Sequence, residues 1–276
     1  MSTLVDEARV AANGAADRLG VQVLELSEVD DQRAAAELLQ RVWDADSPDQ
    51  LVNAGLMRAF SHSGNYVVGA YRGGQLLGAA VGFIGADHLH SHIAGVEPGR
   101  QGSGVGYAMK LHQRAWALDR GFTTVCWTYD PLVRRNAYFN LCKLGARATA
   151  YLPDFYGPMD VGTNAGGPSD RMYVRWDLTS PSATAAASGE CQEVDPAGGI
   201  VVLGRDEEGG PAPVAEAGGR RLLVAAPSDV EALRGADPSL AGRWRYALRE
   251  AVTVAMERGY SVAGVTRDGW YVLEDA

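Results

Sequence analysis

The fold is decided by the stretch Val96-Glu97-Pro98-Gly99-Arg100-Gln101-Gly102-Ser103-Gly104-Val105-Gly106. It follows an apolar run with strand character, places four glycines within eight residues, and leads directly into a helical pattern. Glycine permits the backbone conformations in which several N–H groups converge on one point. The first turn of a helix adds unpaired N–H groups and the positive end of the helix dipole. The stretch therefore predicts a site for a phosphate or pyrophosphate, with a simple strand-to-helix turn as the alternative.

The spacing of the glycines excludes two common nucleotide motifs. Gly102, Gly104 and Gly106 do not form Gly-x-Gly-x-x-Gly, and no Gly-Lys-Ser/Thr ending is present. The order Gln-x-x-Gly-x-Gly from Gln101 resembles the acyl-CoA loop of the GNAT N-acyltransferase superfamily. That resemblance implies an acyl-CoA co-substrate, with acetyl-CoA as the first expectation. It implies that the pyrophosphate is held by the N–H groups of Gln101, Gly102, Ser103, Gly104, Val105 and Gly106. It also implies that the pantetheine arm meets the backbone of Ile93, Ala94, Gly95 and Val96.

The hydrophobic periodicity around the loop predicts the order of elements over about residues 20–178. The order is strand, two helices, a hairpin at Arg72-Gly73-Gly74, strand, glycine loop and helix, strand, helix and two strands. This order is similar to that of the GNAT fold. The resemblance implies an α/β (α+β) domain with a mixed, mostly antiparallel sheet flanked by helices.

Composition predicts four segments. Residues 1–20 read as an N-terminal helical extension and 21–178 as the GNAT-like domain. The small, polar residues 179–199 have the composition of a linker. Residues 200–276 read as a small α+β C-terminal unit, in which Asp237-Pro238 predicts the start of a long helix. Packing on the first domain or homodimer formation is the expected role of this unit.

Charge and cysteine content exclude several classes of protein. The net charge of −9 argues against sequence-independent nucleic-acid binding. No run approaches the roughly 20 apolar residues of a membrane span, and no signal peptide is apparent. Cys126, Cys142 and Cys191 are odd in number and widely spaced, which predicts no disulfide framework and a reducing cytoplasmic location.

Acyl transfer to an amine requires a group that removes a proton from the ammonium. Strand periodicity places His88, His90 and His92 on one face, with Leu89, Ser91 and Ile93 on the other. His92 or His90 is the first candidate base, because histidine titrates near neutral pH. Glu97 is the second candidate. A partly exposed polar sheet face is the alternative for the histidines, and no ligand from another element supports a metal site.

The helix predicted from Arg134 to Leu144 departs from the family pattern. The resemblance implies a tyrosine acid four residues before Gly145, but that position is Leu141. Asn136 and Asn140 are spaced by four and are expected to contact the pantetheine. Tyr138 lies nearby but is compatible with a core position.

The segment from Pro153 to Arg171 is long for a hairpin connection and predicts a wall of the acceptor site. Tyr156, Asp170 and Arg171 are its candidate substrate-binding residues. An aspartate there, Asp170 or Asp154, could hold an ammonium, and Arg171 a carboxylate. A solvated loop with an internal Asp–Arg pair is the alternative.

These observations favour a CoA-dependent N-acyltransferase that acts on a small-molecule amine or amino acid by direct attack. The absent tyrosine keeps a second interpretation open, a non-catalytic CoA- or ligand-binding module. A third is an assembly or regulatory partner built around the C-terminal unit.

Overall fold

The computed structural model describes residues 2–157, 167–214 and 218–275. The chain separates into two compact units. Unit 1 comprises Met1–Trp127 with Asp177–Thr179, and unit 2 comprises Thr128–Trp176 with Ser180–Ala276. The boundary at residue 127 falls inside a strand.

Unit 1 is a sheet with helices. Its helices are α1 (Ser2–Leu19), α2 (Val29–Trp43), α3 (Ala54–His62) and α4 (Val105–Asp119), with a short 3₁₀ helix at Pro48–Gln50. Its strands are β1 (Gln22–Glu25), β2 (Tyr66–Arg72), β3 (Gln75–Ile84), β4 (Leu89–Val96) and β5 (Thr124–Tyr129), which continues into unit 2. The strands lie in sequence order, antiparallel except for the parallel pair β4–β5. The predicted mixed, mostly antiparallel sheet is confirmed.

Unit 2 contains an antiparallel hairpin and a separate five-stranded sheet. The helices are α5 (Arg134–Tyr138), continued by a π-helix (Phe139–Lys143), α6 (Pro181–Ala187), α7 (Val230–Ala236) and α8 (Pro238–Glu257). The hairpin pairs β6 (Arg147–Leu152) with β7 (Arg171–Asp177). The remaining strands are β8 (Ile200–Arg205), β9 (Pro211–Pro213), β10 (Arg221–Ala225), β11 (Tyr260–Val265) and β12 (Trp270–Asp275). Their order is β11-β12-β10-β8-β9, with β10 and β8 parallel.

The core of unit 1 forms where α2 and α3 cover one face of the sheet. Leu38 and Leu39 of α2 and Met57 of α3 are fully buried against Val67 and Val81 of the strands. Apolar residues recurring every three to four positions give each helix one such face. This packing fixes the face of β4 on which the candidate bases lie.

A β-bulge in β4 changes which of its residues share a face. Val81 pairs with Ile93, but the next residue of β3, Gly82, pairs with Ser91. Ile93 therefore packs in the α2/α3 core, whereas Ser91 accepts a hydrogen bond from Lys110 of α4 on the other face. The predicted common face of Ser91 and Ile93 is wrong, because a strict period of two fails where one extra residue is inserted.

The stretch 179–199 carries helix α6. The Ser180 hydroxyl accepts a hydrogen bond from the Ala183 N–H at the helix start. Ala183 and Ala186 are buried. Alanine is the best helix former and needs little space, so a composition typical of a linker here forms a packed helix.

The structure contains a disulfide bond that the sequence did not predict. Cys142 and Cys191 are separated by 49 residues in sequence and their Cα atoms by 5.1 Å. The Gln192 N–H donates to the Cys142 carbonyl at 3.0 Å, which holds the two segments together. Cys126 is buried and takes no part in a disulfide bond. The expectation of unpaired cysteines was wrong because sequence spacing cannot show which distant segments are neighbours.

The predicted start of the long helix at Asp237-Pro238 is confirmed. Pro238 is the first residue of α8, and the Asp237 carboxylate accepts from the Leu240 N–H at 2.9 Å. Among the described residues, no helix combines the length and the apolar character needed to cross a membrane.

Candidate active site

The glycine loop has the backbone geometry that the sequence predicts. Gly99, Gly102 and Gly104 have φ values of 79°, 79° and 92°, in the left-handed region that favours glycine. The Gln101 side-chain oxygen accepts from the Gly99 N–H at 2.9 Å. The Ser103 N–H donates to the Arg100 carbonyl at 3.2 Å. The loop is thus folded by its own hydrogen bonds.

Several N–H groups remain available at the start of α4. Within the described part of the chain, no acceptor lies against the backbone N–H of Gln101, Gly102, Gly104, Val105 or Gly106. The first turn of α4 contains no acidic side chain that would compete for an anion. A Cβ on Gly104 would lie 3.2 Å from a Leu19 methyl carbon, whereas the space beside Gly102 is open. These features fit a pyrophosphate.

The strand before the loop has backbone groups to offer. Residues 93–96 of β4 pair with β3 along one edge, from Ile93–Val81 to Val96–Gly78. Pairing of β4 with β5 is confined to Leu89–Val125 and His90–Cys126. The second edge of β4 beyond His90 is therefore free of β5. This geometry fits the predicted contact of Ile93, Ala94, Gly95 and Val96 with an extended pantetheine arm.

The candidate bases of β4 lie on its less buried face. His90 is half-buried and stacks on Phe83 of β3, with ring centroids 4.7 Å apart, whereas His92 is exposed. Burial lowers the pKa of His90 to about 4, and the charges of His92, His88 and Lys110 lower it further. Burial by neighbouring atoms also lowers the pKa of His92. Both imidazoles are neutral near pH 7 and able to accept a proton. His92 is the better candidate, because a group that titrates near 4 is a weak base.

Glu97 is engaged by a residue of α2. Arg41 donates from Nη2 to Glu97 Oε2 at 2.9 Å and from Nε to Oε1 at 3.3 Å. The neighbouring Glu97 raises the pKa of Arg41, chiefly through this hydrogen bond. Each oxygen of Glu97 thus meets a guanidinium N–H. To act as a base, Glu97 would first have to leave this pair.

Lys110 is a buried cation that the sequence did not single out. Its Nζ donates to Ser91 Oγ and to Gln113 Oε1, both at 2.9 Å, and stands 4.0 Å from the centre of the Trp127 ring. Burial lowers its pKa to about 7. Only the three-dimensional contact reveals it, since it lies outside the apolar stripe of α4.

The π-helix contains the second predicted pantetheine contact. Asn140 is only 5% exposed. Asn136 is half-buried one turn earlier, in α5. π-Helical turns are frequent at functional sites because they redirect side chains. Asn136 and Asn140 remain predicted contacts.

Tyr138, three residues before Leu141, is engaged by a residue outside the helix. The Tyr138 hydroxyl donates to Glu193 Oε1 at 3.2 Å. Burial raises the pKa of Tyr138, and the hydrogen bond to Glu193 and the charge of Glu193 raise it further. Leu141 itself is buried. Tyr138 is therefore tied to Glu193 within unit 2.

The predicted acceptor-wall residues differ in their surroundings. Asp170 is fully buried and accepts from Arg249 Nε at 2.9 Å, the Tyr151 hydroxyl at 2.7 Å and the Asp154 N–H at 3.0 Å. The alternative interpretation was a solvated loop with an internal Asp–Arg pair. Asp170 instead pairs with Arg249, which lies outside the loop on α8. Tyr156 is 45% exposed, and its ring lies 5.2 Å from the buried Arg171 guanidinium. The intervening residues 158–166, including Asp160 and Asn164, lie outside the described part of the chain.

Asp130 is the centre of a buried ionic cluster. Both of its oxygens accept from Arg245 at 2.7 Å, and Arg234 forms a further ion pair. Burial alone would raise the pKa of Asp130, but the two guanidiniums outweigh it and hold the pKa well below its usual range. The sequence indicated only a strand break at Asp130-Pro131. Its partners lie more than a hundred residues away, at separations of 104 and 115.

Residues 15–142 match the family model described as Acetyltransferase (GNAT) family. No curated protein matches the chain.

Solved structures with a similar arrangement are distant in sequence. One is the ribosomal-protein-S18-alanine N-acetyltransferase of Escherichia coli, at 17% identity over 58% of this chain and 95% of that chain, with a TM-score of 0.48. Another is yncA of Salmonella typhimurium, a putative acetyltransferase with its cofactor acetyl-CoA, at 16% identity over 59% and 98%, TM-score 0.47. Aminoglycoside 6'-acetyltransferase type Ii is 16% identical over 58% and 98%, TM-score 0.46. These values indicate no substrate for this chain.

The glycine loop at the start of α4 and the half-unpaired strand before it both lie within the residues that match this family model. Residues 15–142 match the model of the GNAT acetyltransferase family, in which acetyl-CoA is the co-substrate.

Proposed function

We propose that the protein is an enzyme that transfers an acetyl group from acetyl-CoA to the amine of a small molecule or an amino acid. The observation that carries the proposal is the set of backbone N–H groups without acceptors between Gln101 and Gly106, directly before α4. A dedicated anion site next to a strand with a free edge suits a long ligand that ends in a pyrophosphate.

The chemistry requires a neutral amine near the thioester carbonyl. His92 is the proposed base: it is exposed, and its lowered pKa keeps it neutral at pH 7. A backbone N–H on the free edge of β4 would donate to the oxyanion, as such groups do in acyl transfer. A thiolate leaving group does not need a strong acid, so Leu141 in place of tyrosine is compatible with turnover.

The acceptor wall is proposed at Tyr156, which is nearly half exposed. Arg171 is left out of the proposed wall, because it is buried and donates from Nη1 to the Asp170 carbonyl at 3.0 Å. We do not carry Asp170 into the proposal, because its carboxylate is bound by Arg249 and Tyr151.

The alternative is a CoA-binding module without turnover, favoured by the absence of a tyrosine at position 141. A thiol-release assay with acetyl-CoA and succinyl-CoA against amines and amino acids separates the two. Turnover with acetyl-CoA is the expected result. Tight CoA binding without thiol release from any pair would establish the alternative.

A further inference from the structure

Four rings lie together on the α2/α3 face of the sheet. Phe83 of β3 is at the centre, with Phe60 of α3 at 6.0 Å, His90 at 4.7 Å and His92 at 5.9 Å between ring centroids. The His90 and His92 rings are 6.1 Å apart. All four separations are within the range of aromatic contacts. We call Phe60, Phe83, His90 and His92 the aromatic platform.

The bulge in β4 explains the arrangement. Phe83 and His90 are direct cross-strand partners, so their side chains project from the same face and stack with an angle of 27° between the rings. His92, at the bulge, also reaches Phe83, which a strand of regular pleat would place further away.

The platform keeps surface open to a ligand. Phe60, Phe83 and His90 are half-buried and His92 is exposed. Helix α3 leaves the four rings partly uncovered.

The charge of the platform favours a ligand with an uncharged ring over a ligand with a cationic group at this position. His90 is uncharged near pH 7, since burial lowers its pKa to about 4. The charges of His92, His88 and Lys110 further disfavour protonation of His90. Phenyl and neutral imidazole rings suit a flat, uncharged, apolar group.

We infer that the acceptor is an amine that carries an aromatic ring, which stacks on the platform formed by Phe60, Phe83, His90 and His92. The inference rests on the proposed function and names the class of its acceptor. The amine end of the molecule meets His92, which the mechanism uses as the base.

A matched pair of acceptors tests the inference. Benzylamine and cyclohexylmethylamine have nearly the same size, but only benzylamine is aromatic. Benzylamine is the weaker base, so kcat/KM is expressed per concentration of the uncharged amine. On that scale we expect the value with acetyl-CoA to be roughly 3- to 10-fold higher for benzylamine, the range that aromatic pairing adds beyond area burial. In Phe83→Leu the ratio should fall toward one, and in Phe83→Tyr it should be retained. A ratio of rates does not depend on the fraction of folded enzyme.

Trp43→Leu is the control, because Trp43 is an exposed aromatic residue of the same unit outside the platform. It should leave the ratio unchanged. A ratio near one in the wild-type enzyme, or an unchanged ratio in Phe83→Leu, would overturn the inference while the proposed function stands. Absence of thiol release with every amine would instead refute the proposed function. In that case, equal binding of the two amines in NMR titrations would also refute stacking of the aromatic ring on the platform.

Discussion

At the scale of single residues, His92 is the proposed general base. The free enzyme must hold this base neutral, so kcat/KM should rise with pH through the pKa of His92. Burial places that pKa below the ordinary value of 6.5. The rise in kcat/KM that reports deprotonation of His92 should therefore lie below pH 6.5. A separate rise in kcat/KM should follow at the pKa of the acceptor amine.

Substitution His92→Gln should lower kcat/KM at pH 7 by roughly 10²-fold or more, the contribution of a general base, and abolish the acid limb. His62→Gln is the control, since His62 is an exposed histidine of the same unit. Steady-state kinetics between pH 5 and 9 checks the prediction. An acid limb that survives in His92→Gln would assign the proton transfer to another group.

The sequence predicted functional residues only where the structural role of the residue depends on its neighbours in sequence. The glycines at 99, 102 and 104 were identified because a residue with positive φ in a turn must be small. Lys110 and Arg41 were missed, since their roles come from partners on other elements. Nothing in a helical lysine indicates that Ser91, Gln113 and Trp127 will surround it.

At the scale of elements, the ion pairs of α8 hold Asp130 at the end of β5. Removing the Asp130 charge leaves Arg245 buried without its counter-ion, which typically costs 3–5 kcal/mol. Asp130→Asn should therefore lower the free energy of unfolding by about this much. Asp30→Asn is the control, because Asp30 forms an exposed ion pair with Arg33. Urea unfolding monitored by circular dichroism measures both.

The same cluster predicts a dependence on pH. The pKa of Asp130 is lowered by folding, so its contribution is fully present above the unfolded pKa of about 3.9. The contribution is lost as pH falls from about 4 toward the lower folded value. The stability difference between wild type and Asp130→Asn should shrink over that interval. A difference that stays constant down to pH 2 would show that Asp130 does not stabilise the fold through its charge.

Element order was predictable, but irregular elements were not. Alternation and helical periodicity indicated β2, β3, β4 and α4 in their correct order. The bulge at Ser91–Ile93 and the π-helix at 139–143 each insert one residue into a regular pattern. Such insertions depend on tertiary packing, so a strict period of two wrongly placed Ser91 and Ile93 on the same face of β4.

At the scale of the whole molecule, the disulfide links the π-helix of unit 2 to the segment after α6. Closing a loop of this length restricts the unfolded chain, with an expected gain of about 3–4 kcal/mol. A reducing agent should therefore lower the melting temperature of the wild type but not that of Cys191→Ser. Mass spectrometry of the alkylated protein checks that the bond is present beforehand. Equal effects of the reductant on both proteins would contradict a stabilising bond.

The C-terminal residues have a defined structural connection within unit 2. Arg249 of α8 binds Asp170, and Arg245 binds Asp130. Charged residues more than seventy positions apart cannot be matched from one sequence, so this connection was not predictable. Dimer formation remains a prediction, for which light scattering is the measurement.

The central claim is that the loop from Gln101 to Gly106 binds acetyl-CoA, and one titration tests it most directly. Gly104 and Gly121 both have positive φ, at 92° and 83°, and stand at opposite ends of α4. Glutamate at either position introduces similar backbone strain. Gly104→Glu also brings its Cβ to 3.2 Å from a Leu19 methyl carbon, and it alone places a carboxylate against the proposed pyrophosphate. Calorimetric titration with acetyl-CoA should show binding to the wild type and Gly121→Glu, and none to Gly104→Glu with a retained circular dichroism spectrum. Undiminished binding by folded Gly104→Glu would contradict the account.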